Sequence, residues 1–260
     1  MSKPKIGLAL GSGSARGLAH IGVLRALEEN NINIDFFSGS SAGALIGGLY
    51  CTGISPKMLK GLAIQVDKKT WLDFTVPNKG IVKGDRIEEI LKIITGSRNI
   101  EDLDKKISIV STNLNNAEEV VFTSGPLYKA IRASISIPGV FEPVKFHNEV
   151  LVDGGVVDRL PVSVLKDMGA DIIIASDVGF GSYQSRIFRI FDIIQQSIDI
   201  MSKRIYEEDK RLADIIIQIP LSHIDSFSFE RVEECEEIGY NTTIKAVPQI
   251  KEKINEVSNL

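Results

Sequence analysis

Cysteine is scarce in this 260-residue chain: Cys51 and Cys235 are the two present, too few for a disulfide framework or a cysteine-based metal site. Both read as reduced filler residues. Histidine is nearly as rare, and His20, His147 and His223 are the three places where imidazole chemistry could reside. Basic residues are not in excess. The formal net charge is -4, with Lys and Arg scattered among Asp and Glu, which argues against a nucleic-acid surface. There is no internal repeat, low-complexity tract or convincing linker, and no oxygen-rich calcium loop of the EF-hand kind. With 43% hydrophobic and 25% charged residues, the composition is that of a folded globule and suggests neither disorder nor a membrane span.

The N-terminal Met1 to Lys5 followed by Ile6 to Leu10 has the charge order of a secretory signal, but its apolar stretch is too short and runs into a glycine loop. It reads as a first strand, and the protein as cytoplasmic. Helical spacing of Leu18, Ile21, Leu24 and Leu27 then predicts a helix closed by Asn30-Asn31, and Asp35 to Ser38 a second strand. Ser55-Pro56 and Gly84-Asp85 each open a helix. Strands are expected at Ile107 to Ser111, Val120 to Thr123, Val150 to Val152 and Ile172 to Ala175, with helices at Pro126 to Ser134 and Pro161 to Met168. Alternation of this kind implies an α/β fold with a mostly parallel sheet covered on both faces.

Chemistry enters at Gly39-Ser40-Ser41-Ala42-Gly43, a Gly-x-Ser-x-Gly pentapeptide after the apolar Asp35-Phe36-Phe37 and before the small-residue segment Ala44 to Leu49. A serine on a sharp strand-to-helix turn is an exposed nucleophile, and the crowding of that turn demands small residues two before and two after it. Upstream, Gly11-Ser12-Gly13-Ser14-Ala15-Arg16-Gly17 lies where a strand gives way to a helix, so its backbone N–H groups can converge on an anion. That anion is either a nucleotide phosphate or the oxyanion of acyl transfer. Arg16 occupies the sixth place where the dinucleotide fingerprint needs glycine, and no Gly-Lys-Ser/Thr ends the loop as in a P-loop.

A serine nucleophile needs a base. His20 sits on an apolar helix face and reads as a core residue, His147 lies in a polar turn, and His223 falls late enough to complete a Ser-Asp-His order. Asp153, ahead of Gly154-Gly155 at the end of an apolar strand, is the competing base. Desolvation there would raise its proton affinity; the alternative is a turn aspartate that bonds its own loop.

Taken in order, the loop Gly11 to Leu24, the elbow Gly39 to Gly43, the segment Arg132 to Phe141 and Asp153-Gly154-Gly155 resemble the bacterial patatin-like phospholipases. The resemblance covers residues 5 to 178. It implies a three-layer α/β/α sandwich with a mostly parallel central sheet, and hydrolysis of lipid or lysophospholipid esters by a serine–aspartate dyad without metal or cofactor. Ser41 would be the nucleophile and Asp153 the base, with Gly11, Gly13 and Ser14 at the oxyanion hole. Arg16, Gly17, Gly39, Gly43, Gly154 and Gly155 would support these motifs, Arg16 by stabilising the loop or meeting an anionic head group. The family usually carries glycine where Ser14 stands. A non-catalytic regulatory protein on the same scaffold, and an esterase or thioesterase using Ser41, an aspartate and His223, are the alternatives.

The chain reads as one domain over 1–260, helical from about residue 185. A wide apolar stripe between Arg186 and Tyr206 is expected to pack on the sheet or on a second subunit, or else to place Phe188 and Phe191, flanked by Arg186 and Arg189, on anionic lipid at the inner face of a membrane. Trp71, Leu72, Phe74 and Val76 form either a core plug or an acyl entrance. Ser226 to Val257 is expected as a helix whose Glu230, Glu233, Glu234, Glu236 and Glu237 make a solvated face.

Overall fold

In the computed structural model, which describes residues 3–65, 82–178 and 190–259, the first apolar run forms β1 (Ile6–Leu10), buried along its whole length. Its alternating side chains separate two layers. Ile6, Leu8 and Leu10 enter the larger core, whereas Ala9 packs on the opposite face with Leu160, Val162, Leu165, Ile173 and Ala175. Parallel to β1 run β2 (Phe36–Ser40) on one side and β7 (Ile172–Asp177) on the other. Beyond them lie β3 (Lys106–Asn113) and β8 (Ile215–Gln218), also parallel. With β4 (Glu118–Phe122), β5 (Val144–Phe146) and β6 (Glu149–Asp153), the sheet has eight strands in the order β5-β6-β3-β2-β1-β7-β8, and β4 pairs with β3.

One feature of the pairing places the chemistry. On β3, Val110 faces Ser40 of β2 and Ser111 faces Asp153 of β6, while β4 pairs with both of those β3 residues. As β4 takes one edge, β2 and β6 share the other. β2 is parallel to β3 and β6 antiparallel, so their C-terminal ends meet head to head at Ser40 and Asp153.

The larger core is covered by α1 (Ala19–Glu29), α2 (Ala42–Cys51), α3 (Pro56–Gln65), α4 (Asp85–Ile94), α5 (Leu127–Ser134) and α8 (Val232–Ser258). The other face carries α6 (Val162–Asp167) and α7 (Ile190–Lys210). Helices α1 and α8 touch backbone to backbone. A Cβ on Gly22 would fall 1.9 Å from the Glu236 carbonyl oxygen, and one on Gly239 would fall 2.2 Å from that of Ala19.

This contact corrects the reading of the acidic residues in α8. Glu236 is not solvated: it is buried at 2% exposure, with Arg25 at 2.5 Å and Lys60 at 3.0 Å. Two strands also escape the sequence pattern. β5 and β8 span three and four residues, too short to show a period, and β8 interrupts the part expected to be helical. The α7 stripe divides between two environments. Ser202, Tyr206 and Asp209 turn inward, whereas Ile193, Ile200, Met201 and Ile205 are exposed, so the stripe is not core throughout. Trp71, Leu72, Phe74 and Val76, and Arg186, Phe188 and Arg189, lie outside the described residues, as does the side chain of Phe191. Among the described residues no helix is long and apolar enough to cross a membrane.

Candidate active site

Ser41 is the single residue between β2 and α2, with φ 53 and ψ -118. A non-glycine residue held at such angles costs on the order of 1–3 kcal/mol and persists where its surroundings over-determine it. They do so here. The backbone crosses so closely that a Cβ on Gly43 would meet the Leu10 carbonyl oxygen at 1.9 Å and one on Gly39 the Ala44 nitrogen at 2.7 Å. The Ser41 N–H donates to Ser134 Oγ at 2.9 Å, and the Ser41 carbonyl starts α2 by accepting from Leu45 N–H at 3.0 Å. Ser41 thus stands at the positive end of the helix dipole.

Opposite it, the Ser41 hydroxyl donates to Asp153 Oδ2 at 2.6 Å. The other oxygen, Oδ1, accepts from Gly155 N–H at 2.8 Å. The two alternatives open for Asp153, partner of the serine and turn residue bonding its own loop, are therefore occupied by different oxygens of one carboxylate. Its backbone is also held, the N–H by Ser136 O and the carbonyl by Thr112 Oγ1. Burial pushes the Asp153 carboxyl up to about 6, opposed by the hydrogen bonds from Ser41 and Gly155 and by the charge of Arg159. Gly154 lies where a side chain would strike the Val110 carbonyl oxygen.

The loop after β1 divides its N–H groups. Gly11 donates to Ser176 O at 3.1 Å and Ser12 to Arg159 O at 2.7 Å, while Ala15 and Arg16 donate to Ser226 O and Gly13 O. Gly11 is thereby removed from the expected oxyanion hole, because its N–H is already spent on the neighbouring strand. The N–H groups of Gly13 and Ser14 have no partner among the described residues, and both residues line the cleft with Ser41 and Asp153. Ser14 takes φ 52, a left-handed conformation, and its buried Oγ has no hydrogen-bond partner among the described residues. The departure from glycine therefore falls where glycine is conformationally favoured. Arg16 Nε donates to Ile224 O at 2.9 Å, which ties the loop to the segment before α8. Gly17 passes α2 so closely that a Cβ would lie 2.2 Å from that of Ala42.

The histidines separate clearly. His20 is wholly buried, as expected of a core residue, and His147 is exposed. His223 is half exposed, pairs with Glu234 at 3.0 Å and is not among the residues lining the cleft. The Ser41-Asp-His223 alternative fails on this point, since the hydroxyl of Ser41 already bonds a carboxylate directly. Among the described residues no group of His, Cys, Asp and Glu is arranged to hold a metal ion. No role was legible in the sequence for Ser134, Ile137 and Pro138, which lie within the segment Arg132 to Phe141. Nor was one legible for the Arg159–Asp199 pair at 2.5 Å, which joins the cleft wall to α7 and has no local pattern.

The sequence profile of the family described as patatin-like phospholipase matches residues 8–166. Lysophospholipase NTE1 of Yarrowia lipolytica is 37% identical over 185 residues, which make up 69% of this chain and 13% of that protein. An uncharacterized NTE family protein of Mycobacterium bovis is 40% identical over 177 residues, 67% of this chain and 49% of the relative. The chain thus spans half or less of these relatives. Among solved structures, VipD from Legionella pneumophila is similar with a TM-score of 0.66 over 95% of this chain and 67% of its own, at 16% identity, a likeness of fold.

Proposed function

The chain belongs to the patatin-like phospholipase family, and from that premise we propose that it hydrolyses carboxylic esters of lipids, as a phospholipase A or lysophospholipase does, through an acyl-enzyme on Ser41. The observation that carries the reading is the 2.6 Å hydrogen bond from Ser41 Oγ to a buried carboxylate whose basicity is raised to about 6. Such a group is ionised at neutral pH yet a better proton acceptor than an ordinary aspartate.

Ser41 Oγ attacks the ester carbonyl while its proton passes to Asp153 Oδ2. The carbonyl oxygen becomes an oxyanion received by the N–H groups of Gly13 and Ser14. On collapse the ester C–O bond breaks, the departing alkoxide takes the proton from Asp153, and the acyl group remains on Ser41. Water then gives a proton to Asp153 and attacks the acyl carbonyl. Expulsion of Ser41 Oγ, which recovers that proton, frees the fatty acid. The single-domain reading is part of the proposal, supported by Val247 and Ile250 of α8 entering the same core as β1.

The test is labelling by a fluorophosphonate probe of wild type, Ser41→Ala and Asp153→Asn, followed by turnover on a panel of phospholipids, lysophospholipids and neutral esters. Wild-type labelling lost in Ser41→Ala supports the nucleophile. A wild type that does not label favours the non-catalytic alternative.

A further inference from the structure

His20 lies in the first turn of α1, at 0% exposure, between the C-terminal ends of β1 and β7. Its Nε2 is 2.8 Å from the Gly11 carbonyl oxygen and its Nδ1 is 2.9 Å from Ser176 Oγ. A carbonyl oxygen can only accept, so Nε2 carries the proton. Burial lowers the imidazole to about 4, so the ring is neutral and Nδ1 accepts the Ser176 hydroxyl proton. Ser176 in turn accepts the Gly11 N–H through its backbone carbonyl at 3.1 Å. Gly11 is therefore held at both its N–H and its C=O by one His20–Ser176 unit.

The Gly11 carbonyl and the Ser12 N–H belong to one planar peptide and point in opposite directions. His20 grips one side of that plane, and the Arg159 carbonyl, accepting from Ser12 N–H at 2.7 Å, grips the other. The next N–H groups along the chain are those of Gly13 and Ser14. The Gly13 carbonyl, which shares its peptide plane with the Ser14 N–H, is itself fixed by Arg16 N–H at 3.1 Å. We propose that His20 is the positioning residue of the oxyanion hole: by holding the Gly11–Ser12 peptide plane, it aims the next N–H, that of Gly13, at the carbonyl that Ser41 attacks, beside a Ser14 N–H whose own plane Arg16 holds. Without the Nε2 proton the Gly11 carbonyl is a buried acceptor with no other donor among the described residues, and relief comes by rotating the plane that sets Gly13. This role rests on the dyad reading above and adds to it a residue that touches no substrate.

The test compares wild type with His20→Leu, His20→Gln and Ser176→Ala, using turnover of a lipid ester and inhibition by a lipid trifluoromethyl ketone, whose hemiketal with Ser41 places an oxyanion in the hole. Fluorophosphonate labelling counts the active sites, so kcat refers to folded enzyme. We expect His20→Leu to lower kcat by about 100-fold, the scale of a lost oxyanion-hole donor. KM is expected to stay within about twofold and ketone affinity to fall in step with kcat/KM. His20→Gln, which can still offer an N–H to Gly11, should return to within about tenfold of wild type, and Ser176→Ala should lie between. A core-filling histidine would change stability and leave kcat per labelled site and ketone affinity alone, and that result overturns the proposal. Should His20→Leu not fold, wild-type kcat and ketone affinity in Ser176→Ala overturn it equally. Turnover unchanged in Ser41→Ala would instead sink the dyad reading, and this inference with it, before any His20 variant is measured.

Discussion

Ser41 Oγ and Asp153 Oδ2 are 2.6 Å apart although 112 residues separate them along the chain. The proximity follows from β3, whose one edge pairs first with β2 running parallel and then with β6 running antiparallel, so that the two strands deliver their last residues to the same point. The serine arrives on a strained turn and the aspartate on a strand end closed by Gly154.

As the proposed base, Asp153 must be ionised to accept the serine proton, and since burial pushes its carboxyl up to about 6, kcat/KM should rise with pH and level off above that value. Its stability effect has the opposite sense. A carboxyl whose folded pKa is raised stabilises the fold fully below its unfolded value and loses that contribution as pH climbs through about 6. Asp153→Asn should therefore lose turnover by about 100-fold or more and gain up to about 3 kcal/mol at pH 8, with little gain at pH 4. Urea melts at the two pH values check the second part; equal shifts at both would contradict it.

Ser41→Gly should raise stability by about 1 kcal/mol while abolishing probe labelling, since glycine relieves a φ of 53 and removes the hydroxyl proposed as nucleophile. Thermal or urea unfolding of this variant beside Ser41→Ala separates the backbone effect from loss of the hydroxyl. A glycine variant no more stable than the alanine one would show that the turn stores no strain.

Ser14→Gly removes a left-handed serine and a buried hydroxyl without a partner among the described residues, and leaves the Ser14 backbone N–H in place. Stability should rise by about 1 kcal/mol, with kcat equal to or above wild type. A drop in kcat of tenfold or more would mean that the Ser14 hydroxyl contributes to turnover.

Glu236→Ala should destabilise the fold by about 2 kcal/mol in urea unfolding, because Arg25 and Lys60 lose a buried partner but are themselves about one-third exposed and can rehydrate. Turnover per labelled site should not change. An effect within 0.5 kcal/mol, the usual scale for surface substitutions, would place Glu236 among ordinary surface acids.

Legibility in the sequence followed locality. The glycines of the elbow, the buried run of β1 and the helical spacing of α1 were readable because the backbone crossing or the period that demands them lies within a few residues. Gly11 was misassigned for the converse reason. Nothing near it announces that Ser176 will take its N–H. Glu236 looked like its exposed neighbours until the α1–α8 glycine contact drew it inside.

By itself the sequence determined a serine on a forced turn, an anion-seeking loop ahead of it and an aspartate before two glycines, since each is a local chain geometry written in residue size and backbone freedom. Only the tertiary structure decided which aspartate oxygen meets the serine, which loop N–H groups find no partner among the described residues, and that His223 faces Glu234 instead of the cleft. Those outcomes depend on which strands share an edge and which carbonyls arrive from distant segments, and hydrogen bonds are settled by that arrangement in space.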